Sequence, residues 1–315
     1  MAKNELKVLA RMTFVADKTV QNMRKCLEKK GDLCQFKAHP AIEPDSGLMM
    51  ATNGHILAVH KLKDYRCELG DGVFVMNGVH MVPAEVTKMK GVVTVEILSD
   101  TYDEFVRVSD SQGATAELKQ ESRYPVWRSV MPWSSGYPVT VDAKAWDAVL
   151  KDMQAAADRD CPMRICGERD GRTVRLSHYD DIADKEWSRD VEVGRMPYKM
   201  FASFNCRRLR DVMAFQPTGM RFVENTRPVM FTGDETLVLL MPLLGSLDLT
   251  CKIGDKDYER FDLAKWMMAG KKEDARGKKA DVKPQTSSVS RQPSGEPTLA
   301  ERLRAVLLAQ MKQAA

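Results

Sequence analysis

The residues that could do chemistry in this chain are its histidines, cysteines and paired acids. The five histidines form no HExxH or HxH arrangement; they are His39, His55, His60, His80 and His178. The seven cysteines form no CxxC pair and no Cys/His cluster with zinc spacing, and their odd number does not fit a complete disulfide framework. We therefore predict reduced, mostly structural thiols, no metal and no cofactor.

Motifs for phosphate binding and nucleophilic catalysis do not occur in the sequence. There is no GxxxxGK[ST] loop, no GxGxxG after a strand and no GxSxG elbow. The acid pairs Asp158/Asp160 and Asp180/Asp181 lie in turn-like stretches, where solvated carboxylates are commoner than catalytic ones. We predict that the chain is not an enzyme. The enzyme alternative would need a convergent His/carboxylate pocket.

One histidine lies at a predicted bend. The stretch MMATNGHILAVH, residues 49–60, is typical of two strands folded about a tight turn, with His55 at its tip. From its residue type, His55 could be a catalyst, a metal ligand or part of a docking surface. The sequence offers it no companion residues for catalysis or metal binding.

Charge is distributed unevenly along the 315 residues. The net charge is +4, but residues 270–315 carry ten Lys and Arg against five Asp and Glu, so the rest of the chain is nearly neutral. A nearly neutral body places any nucleic-acid contact on a local basic face. No apolar run is long enough to span a bilayer and the start has no apolar signal-peptide core, so we expect a soluble, cytoplasmic protein.

Four strand–helix units organise the body of the chain. In each unit a strand leads to a capping or helix-starting residue, and then to an amphipathic helix. The helix starts are Asp17, Pro83, Asp142 and Asn205. The first helix is predicted over Lys18–Lys30. Alternating apolar segments after the units predict antiparallel meanders.

This repeat predicts an α+β fold of two tandem domains, residues 1–136 and 137–244, each with two strand–helix units and antiparallel sheets. A C-terminal extension follows at 245–268, and then a linker at 269–297 whose composition predicts disorder. Residues 298–315 predict an amphipathic helix, with a capping box at Thr298 and Glu301. That helix either binds an unknown partner or packs on its own body.

Each strand–helix unit carries cations on its helix. If the helices share one side of the fold, these cations form a lining that contacts duplex DNA phosphates without reading sequence. The alternative is that they only solvate a surface. The predicted DNA-facing residues are Lys18, Arg24, Lys25, Lys29, Lys88, Lys90, Lys144, Lys151, Arg207, Arg208 and Arg210.

Three segments, in order along the chain, resemble the bacterial β sliding clamp, the β subunit of DNA polymerase III. ATNGHILAV resembles that family's ATDGHRLA turn, RYPVWRSVMP its FPDYxxVxP segment, and RPVMFTGDETLVLLMPL its last strands. The resemblance covers residues 8–244 and matches the family's second and third domains. It implies a fold with helices lining a central hole and sheets outside.

The resemblance implies a ring around duplex DNA that tethers a DNA polymerase and is opened by a clamp loader. Six domains form the family's ring, so two domains per chain imply a homotrimer with head-to-tail interfaces. The shortened body and added tail favour a phage or mobile-element source. Ala84 and Glu85 replace basic residues of the family. The alternative function is a clamp-like adaptor that binds DNA or RNA polymerase without loading on DNA.

The resemblance also implies a site for short peptides of the QLxLF type. By matching positions its residues are Thr52, Gly54, His55, Ile56, Leu57, Pro132, Leu239, Met241, Pro242 and Leu243. Asn53 and Ile56 replace an Asp and an Arg of the family, which predicts a changed peptide preference. The alternative is that these positions are only hairpin and core residues. Residues 246–250, SLDLT, faintly resemble such a peptide and could occupy the site.

Overall fold

The structure, a computed structural model, describes residues 6–28, 34–70, 78–100, 103–156, 160–180, 184–243 and 251–269. Several predictions fall outside those ranges: the terminal helix, almost all of the linker before it, the SLDLT segment and Lys29. No helix in the described ranges is long and apolar enough to cross a membrane.

Short helices and nine strands make up the described residues of the first half of the chain. The strands are β1 (Lys7–Ala16), β2 (Ala41–Glu43), β3 (Leu48–Thr52), β4 (Ile56–Lys61), β5 (Lys63–Leu69), β6 (His80–Met81), β7 (Gly91–Ser99), β8 (Glu104–Asp110) and β9 (Thr115–Lys119). The helical segments are α1 (Lys18–Asn22), the 3-10 turn that continues it (Met23–Cys26), α2 (Gln35–Ala38) and two further 3-10 turns (Ala84–Lys88 and Trp127–Val130).

The second half has longer helices and a short C-terminal pair of elements. Its strands are β10 (Ser134–Gly136), β11 (Val139–Thr140), β12 (Pro162–Gly167), β13 (Thr173–Asp180), β14 (Lys185–Glu192), β15 (Met200–Asn205), β16 (Gly219–Arg221), β17 (Val229–Thr232), β18 (Thr236–Leu240) and β19 (Tyr258–Arg260). Its helices are α3 (Ala143–Ala156), α4 (Cys206–Met213), a 3-10 turn (Asp255–Asp257) and α5 (Leu263–Met268).

An eight-stranded antiparallel sheet joins the two halves. Its order is β11-β16-β17-β18-β4-β3-β2-β6, and the halves meet where β18 pairs with β4, with Leu239 opposite Leu57. Two further sheets have the orders β5-β1-β7-β8-β9 and β14-β13-β12-β15, and β10 pairs with β19. The large sheet is continuous from one half to the other, so it does not mark a boundary between domains. The division at Gly136 therefore stays a prediction.

Strand exchange between paired units gives each half the same layout. In the first half β1 pairs with β7 and β6 pairs with β2, so each unit sends its first strand into the other unit's sheet. In the second half β11 pairs with β16, and β15 pairs with β12. The predicted α+β fold, with two strand–helix units per half and antiparallel sheets, is confirmed.

Side-chain caps start three of the helices as predicted. Asp17 Oδ1 accepts from Val20 N at 3.0 Å, Asp142 Oδ1 accepts from Lys144 N at 2.9 Å, and Asn205 Oδ1 accepts from Arg208 N at 3.1 Å. Each cap satisfies an amide that has no partner within its helix. These caps fix where each helix leaves its strand.

The first helix is shorter than the predicted Lys18–Lys30. After the 3-10 turn, Leu27 adopts an extended backbone with φ −109° and ψ 147°. Glu28 N then donates to Lys37 O at 2.9 Å, so this amide bonds to the segment of α2 instead of continuing the helix. A partner nine residues away competes with the helical hydrogen bond, and helix propensity does not report such a partner.

Two apolar clusters lie on opposite faces of the eight-stranded sheet. The larger cluster packs the buried faces of the helices, including Trp146 and Leu209, against strands of the sheets. The smaller cluster, which we call the outer cluster, contains Leu57 and Leu239. Alternation along β4 explains the separation, because neighbouring residues of a strand point to opposite faces.

Candidate peptide-docking face and helix row

Side chains hold the turn between β3 and β4. Asn53 Oδ1 accepts from His55 N at 3.0 Å and from Ile56 N at 2.9 Å, while Thr52 Oγ1 accepts from Gly54 N at 3.1 Å. Gly54 has φ +85°, a left-handed conformation that favours glycine. His55 and Gly54 are exposed at the tip, but Asn53 is only 1% exposed and lies inside the turn.

Leu57 and Leu239 lie side by side on the outer face of the large sheet. They are opposite each other in the β4–β18 pair, and both belong to the outer cluster. Ile56, another predicted docking residue, is 1% exposed and lies in the main core. Ile56 stands at a position where the clamp family has an Arg. Because Ile56 and Leu57 are neighbours on β4 and point to opposite faces, this difference affects the main-core face of the sheet and not the face that carries Leu57.

Of the remaining predicted docking residues, Met241 and Pro132 lie next to this face, and Pro242 and Leu243 follow Met241 in the chain. Met241 N donates to His55 O at 2.9 Å, which joins the end of β18 to the β3–β4 turn, and the Met241 side chain is 39% exposed. Pro132 is buried beside Met131, which belongs to the outer cluster. Pro242 is buried, and Leu243 is half-buried with its N–H donating to Ser203 O at 2.8 Å.

Two aromatic residues from the C-terminal extension cover part of the outer face. Phe261 and Trp266 are 8% and 9% exposed and belong to the same cluster as Leu57 and Leu239. The sequence alone predicts no regular structure for this stretch. A usable signal was present, because Asp262 caps α5 through a bond from Lys265 N at 2.9 Å and the apolar residues Leu263, Trp266 and Met267 follow helical spacing.

His60 links the first helix to the junction of the halves. Its Nε2 lies 3.5 Å from Asp17 Oδ2, and its Nδ1 lies 3.1 Å from Thr236 Oγ1 at the start of β18. Burial by itself would raise the pKa of Asp17. The hydrogen bond and charge of His60, the Val20 amide and Lys63 outweigh burial and hold that pKa well below its usual range.

The other buried histidines also make structural contacts. His80 Nδ1 lies 2.7 Å from Glu104 Oε1, and His178 Nδ1 lies 2.9 Å from Pro162 O. Within the described residues, no three His, Cys, Asp or Glu side chains are placed to hold a metal. Burial raises the pKa of the Cys26 thiol and so favours its protonated form, which is a poor nucleophile.

The helices form a continuous row on the main-core side of the large sheet. The 3-10 turn at 84–88 contacts α1, and α3 contacts α4. Between these pairs, Asn22 Nδ2 donates to Ala214 O at 2.8 Å and Lys25 Nζ lies 3.2 Å from Asp211 Oδ1. All four strand–helix units thus contribute to one row.

Ion pairs divide the predicted DNA-facing cations into two groups. Three are paired across neighbouring elements: Lys25 with Asp211, Arg207 with Asp160 at 3.9 Å, and Arg210 with Asp147 at 2.9 Å. The others have no ion pair with any described residue and are mostly exposed; they are Lys18, Arg24, Lys88, Lys90, Lys144, Lys151 and Arg208.

Comparison with solved structures identifies the fold as that of the bacterial β sliding clamp. No protein-family model and no curated protein matches the sequence. The DNA polymerase sliding clamp from Caulobacter crescentus matches 78% of this chain and 68% of its own, with a TM-score of 0.58 and 16% identity. The DNA polymerase III β subunit from Thermotoga maritima matches over the same shares, with a TM-score of 0.57 and 17% identity.

A third similar structure is the Helicobacter pylori β clamp bound to a DNA ligase peptide. It has a TM-score of 0.61 and 11% identity, and the match covers 78% of this chain and 68% of that one. The chain therefore has the fold of DNA polymerase III β sliding clamps, although few of its residues are identical to theirs.

Proposed function

We propose that this protein is a sliding clamp: a ring of three chains that encircles duplex DNA and tethers a DNA polymerase through short peptides. The observation that carries the proposal is the β4–β18 junction, where two clamp-like halves join through one continuous sheet. The helix row lies on one face of this sheet and the docking face lies on the other. A ring repeats such a junction between every pair of neighbouring halves.

The internal repeat identifies the strands that would close the ring. The junction within the chain pairs β4, the third strand after the helix of the first unit, with β18, the third strand after the helix of the fourth unit. The equivalent strands of the second and third units are β9 and β14, and both lie at the edge of their sheets. Pairing β9 of one chain with β14 of the next gives a head-to-tail contact, and three such contacts close six halves into a ring.

In this ring the helix row faces the DNA. The unpaired cations, including Lys144 and Lys151 on α3, would contact phosphates with no need to read base sequence. The ring needs no catalytic group of its own. A clamp loader would open one β9–β14 contact, and the protein would act in the cytoplasm of a bacterium or of a phage-infected host.

Topological retention on DNA tests this function. The protein is incubated with nicked circular duplex and a loading extract, purified by gel filtration in high salt, and then treated with a restriction enzyme that linearises the circle. A ring stays on the circle and is lost on linearisation. A protein that is bound only by phosphate contacts dissociates from the circle in high salt. Equal loss from circular and linear DNA would contradict the proposal.

The ion pairs in the helix row favour a second candidate, a clamp-like adaptor that binds polymerase without encircling DNA. Lys25, Arg207 and Arg210 each have an acidic partner, which weakens the positive potential of the row. An adaptor would bind a polymerase peptide at the same docking face as a clamp. It would show no retention on circular DNA in the assay described above.

A further inference from the structure

The segment Tyr258–Met268, which we call the strap, lies on the outer face of the large sheet. It consists of β19 and α5 and follows the last strand of the clamp fold in sequence. Phe261 N donates to Trp133 O at 2.8 Å, and β19 pairs with β10. Trp266 Nε1 donates to Gly233 O at 2.9 Å in the β17–β18 turn.

The strap covers the apolar floor of the candidate docking face. Phe261 and Trp266 pack in the outer cluster with Leu57 and Leu239, which are only 7% and 2% exposed. Among the described residues, the buried members of this cluster outside strands come from the strap and the Tyr124–Met131 stretch, and Phe36 of α2 packs against them, so the strap supplies part of the cover. Because Leu57 and Leu239 are already covered, a peptide that inserts an apolar side chain between them must displace part of this cover.

Local interactions hold the strap weakly. A single pair of three-residue strands and a six-residue helix are both too short to be stable without tertiary contacts. The strap is therefore anchored mainly by Phe261, Trp266 and two cations. The Lys61 ammonium lies 4.3 Å from the Trp266 ring centroid and donates to Trp266 O, and Arg221 lies 5.6 Å from the Phe261 ring centroid and 2.8 Å from Glu259 Oε2. A segment of this kind opens at a lower free energy than the core.

We propose that the strap is a built-in competitor for the docking face, which a partner peptide must displace. The ligand class is a short peptide with two large apolar anchors, for which Phe261 and Trp266 are the resident substitutes. The inference rests on the proposed use of this face for polymerase peptides. With an intramolecular competitor, the apparent affinity for an external peptide equals the intrinsic affinity multiplied by the fraction of molecules in which the strap is open.

Point variants of the full chain test the competition. Trp266→Ala removes one anchor and leaves the docking face unchanged, so a fluorescent Gln-Leu-Ser-Leu-Phe peptide should bind at least about tenfold more tightly than to wild type. Asp262→Ala weakens only the cap of α5 and should tighten binding about threefold to fivefold. Met268→Ala, an exposed position on the same helix at 59%, should change nothing.

A reversible lock provides the converse test. Ser134 and Arg260 are cross-strand neighbours in the β10–β19 pair, and both are exposed. Cysteines at these two positions should form a disulfide under oxidation, because cross-strand Cα separations lie in the range that disulfides allow. The oxidised double variant should bind the peptide more weakly than wild type, and reduction should restore the affinity. Ser134→Cys alone is the control for the native cysteines.

Three outcomes separate the inference from the function on which it rests. Equal affinity for wild type, Trp266→Ala and the locked form would overturn the inference and leave peptide binding intact. If no form binds the pentapeptide, a synthetic copy of residues 255–269 is added to the Trp266→Ala chain. Binding of that copy would support the strap as a ligand of the face while contradicting polymerase tethering; absence of binding would overturn the inference as well.

Discussion

Substituting Glu117 by proline should break the proposed ring without unfolding the chain. At the two ends of β9, Gln120 N donates to Glu104 O at 2.9 Å and Ala114 O accepts from Asp110 N at 3.0 Å. Antiparallel strands alternate in the direction of their backbone groups, so the odd-numbered residues of β9 point to the free edge. The Glu117 N–H is therefore available to a neighbouring chain and is not used by β8.

The size of the effect follows from the backbone groups involved. Proline removes one interchain hydrogen bond, worth about 0.5–1.5 kcal/mol, and leaves a carbonyl of β14 without its donor, which costs about 1–3 kcal/mol more. The sum, about 1.5–4.5 kcal/mol per contact, corresponds to roughly 10-fold to 2,000-fold weaker association. The β8–β9 bonds stay in place, because proline is tolerated on an edge where its nitrogen faces outward.

Mass photometry over a dilution series measures this effect. Wild type should be trimeric at concentrations where Glu117→Pro is monomeric. Glu117→Ala is the matched control, since it loses the same ion pair to Arg107 at 2.9 Å but keeps the N–H. Circular dichroism checks that both variants are folded. Trimers of equal stability in the proline and alanine variants would refute the role of β9 in ring closure.

Three further predictions concern charge, DNA and the core. Because the pKa of Asp17 is lowered in the folded protein, its carboxylate stabilises the fold above the ordinary carboxyl pKa, and this contribution is lost as pH falls. Asp17→Asn keeps the helix cap, so it should cost about 1.5–3 kcal/mol in urea unfolding at pH 7. Most of that cost should remain at about pH 3 and be lost only at still lower pH, because the folded-state pKa of Asp17 lies well below the ordinary carboxyl pKa. Replacing Lys144 and Lys151 by Glu should make the slope of log affinity against log salt on duplex DNA less steep by about 2, whereas Lys265→Glu, at an exposed position of α5 on the opposite face, should leave it unchanged. Trp146→Ala should cost about 3–5 kcal/mol of unfolding free energy, because the side chain is fully buried in the main core.

Local features of the fold were predictable from the sequence. Asp17, Asp142 and Asn205 cap their helices because a short polar side chain at that point bonds to amides two or three residues ahead. The strand–helix repeat was visible for a similar reason, since strand and helix periodicities depend on neighbouring residues only. Both kinds of signal act over a few positions of the chain.

Features that depend on distant partners were not predictable in the same way. The first helix ends early because Glu28 N bonds to Lys37 O, and Ile56 lies in the main core because β4 meets β18 in one particular register. The strap was missed because Phe261 and Trp266 acquire their burial from strands far away in the sequence. The resemblance to the clamp family predicted that the residues of β4 and β18 lie close together, but the family has no segment that corresponds to the strap.

The same strand pair joins the halves and forms the floor of the docking face, and this constrains how docking variants are interpreted. Leu239 is 2% exposed and packs opposite Leu57 at the junction, so truncating it removes core packing and should cost about 2–5 kcal/mol of stability as well as any peptide contact. Met241 is 39% exposed at the rim, bonded through its backbone N–H to His55 O. A side-chain change at Met241 keeps that bond and the junction. Loss of peptide binding in a Met241 variant therefore reports on docking, whereas the same loss in a Leu239 variant also reflects a weakened junction.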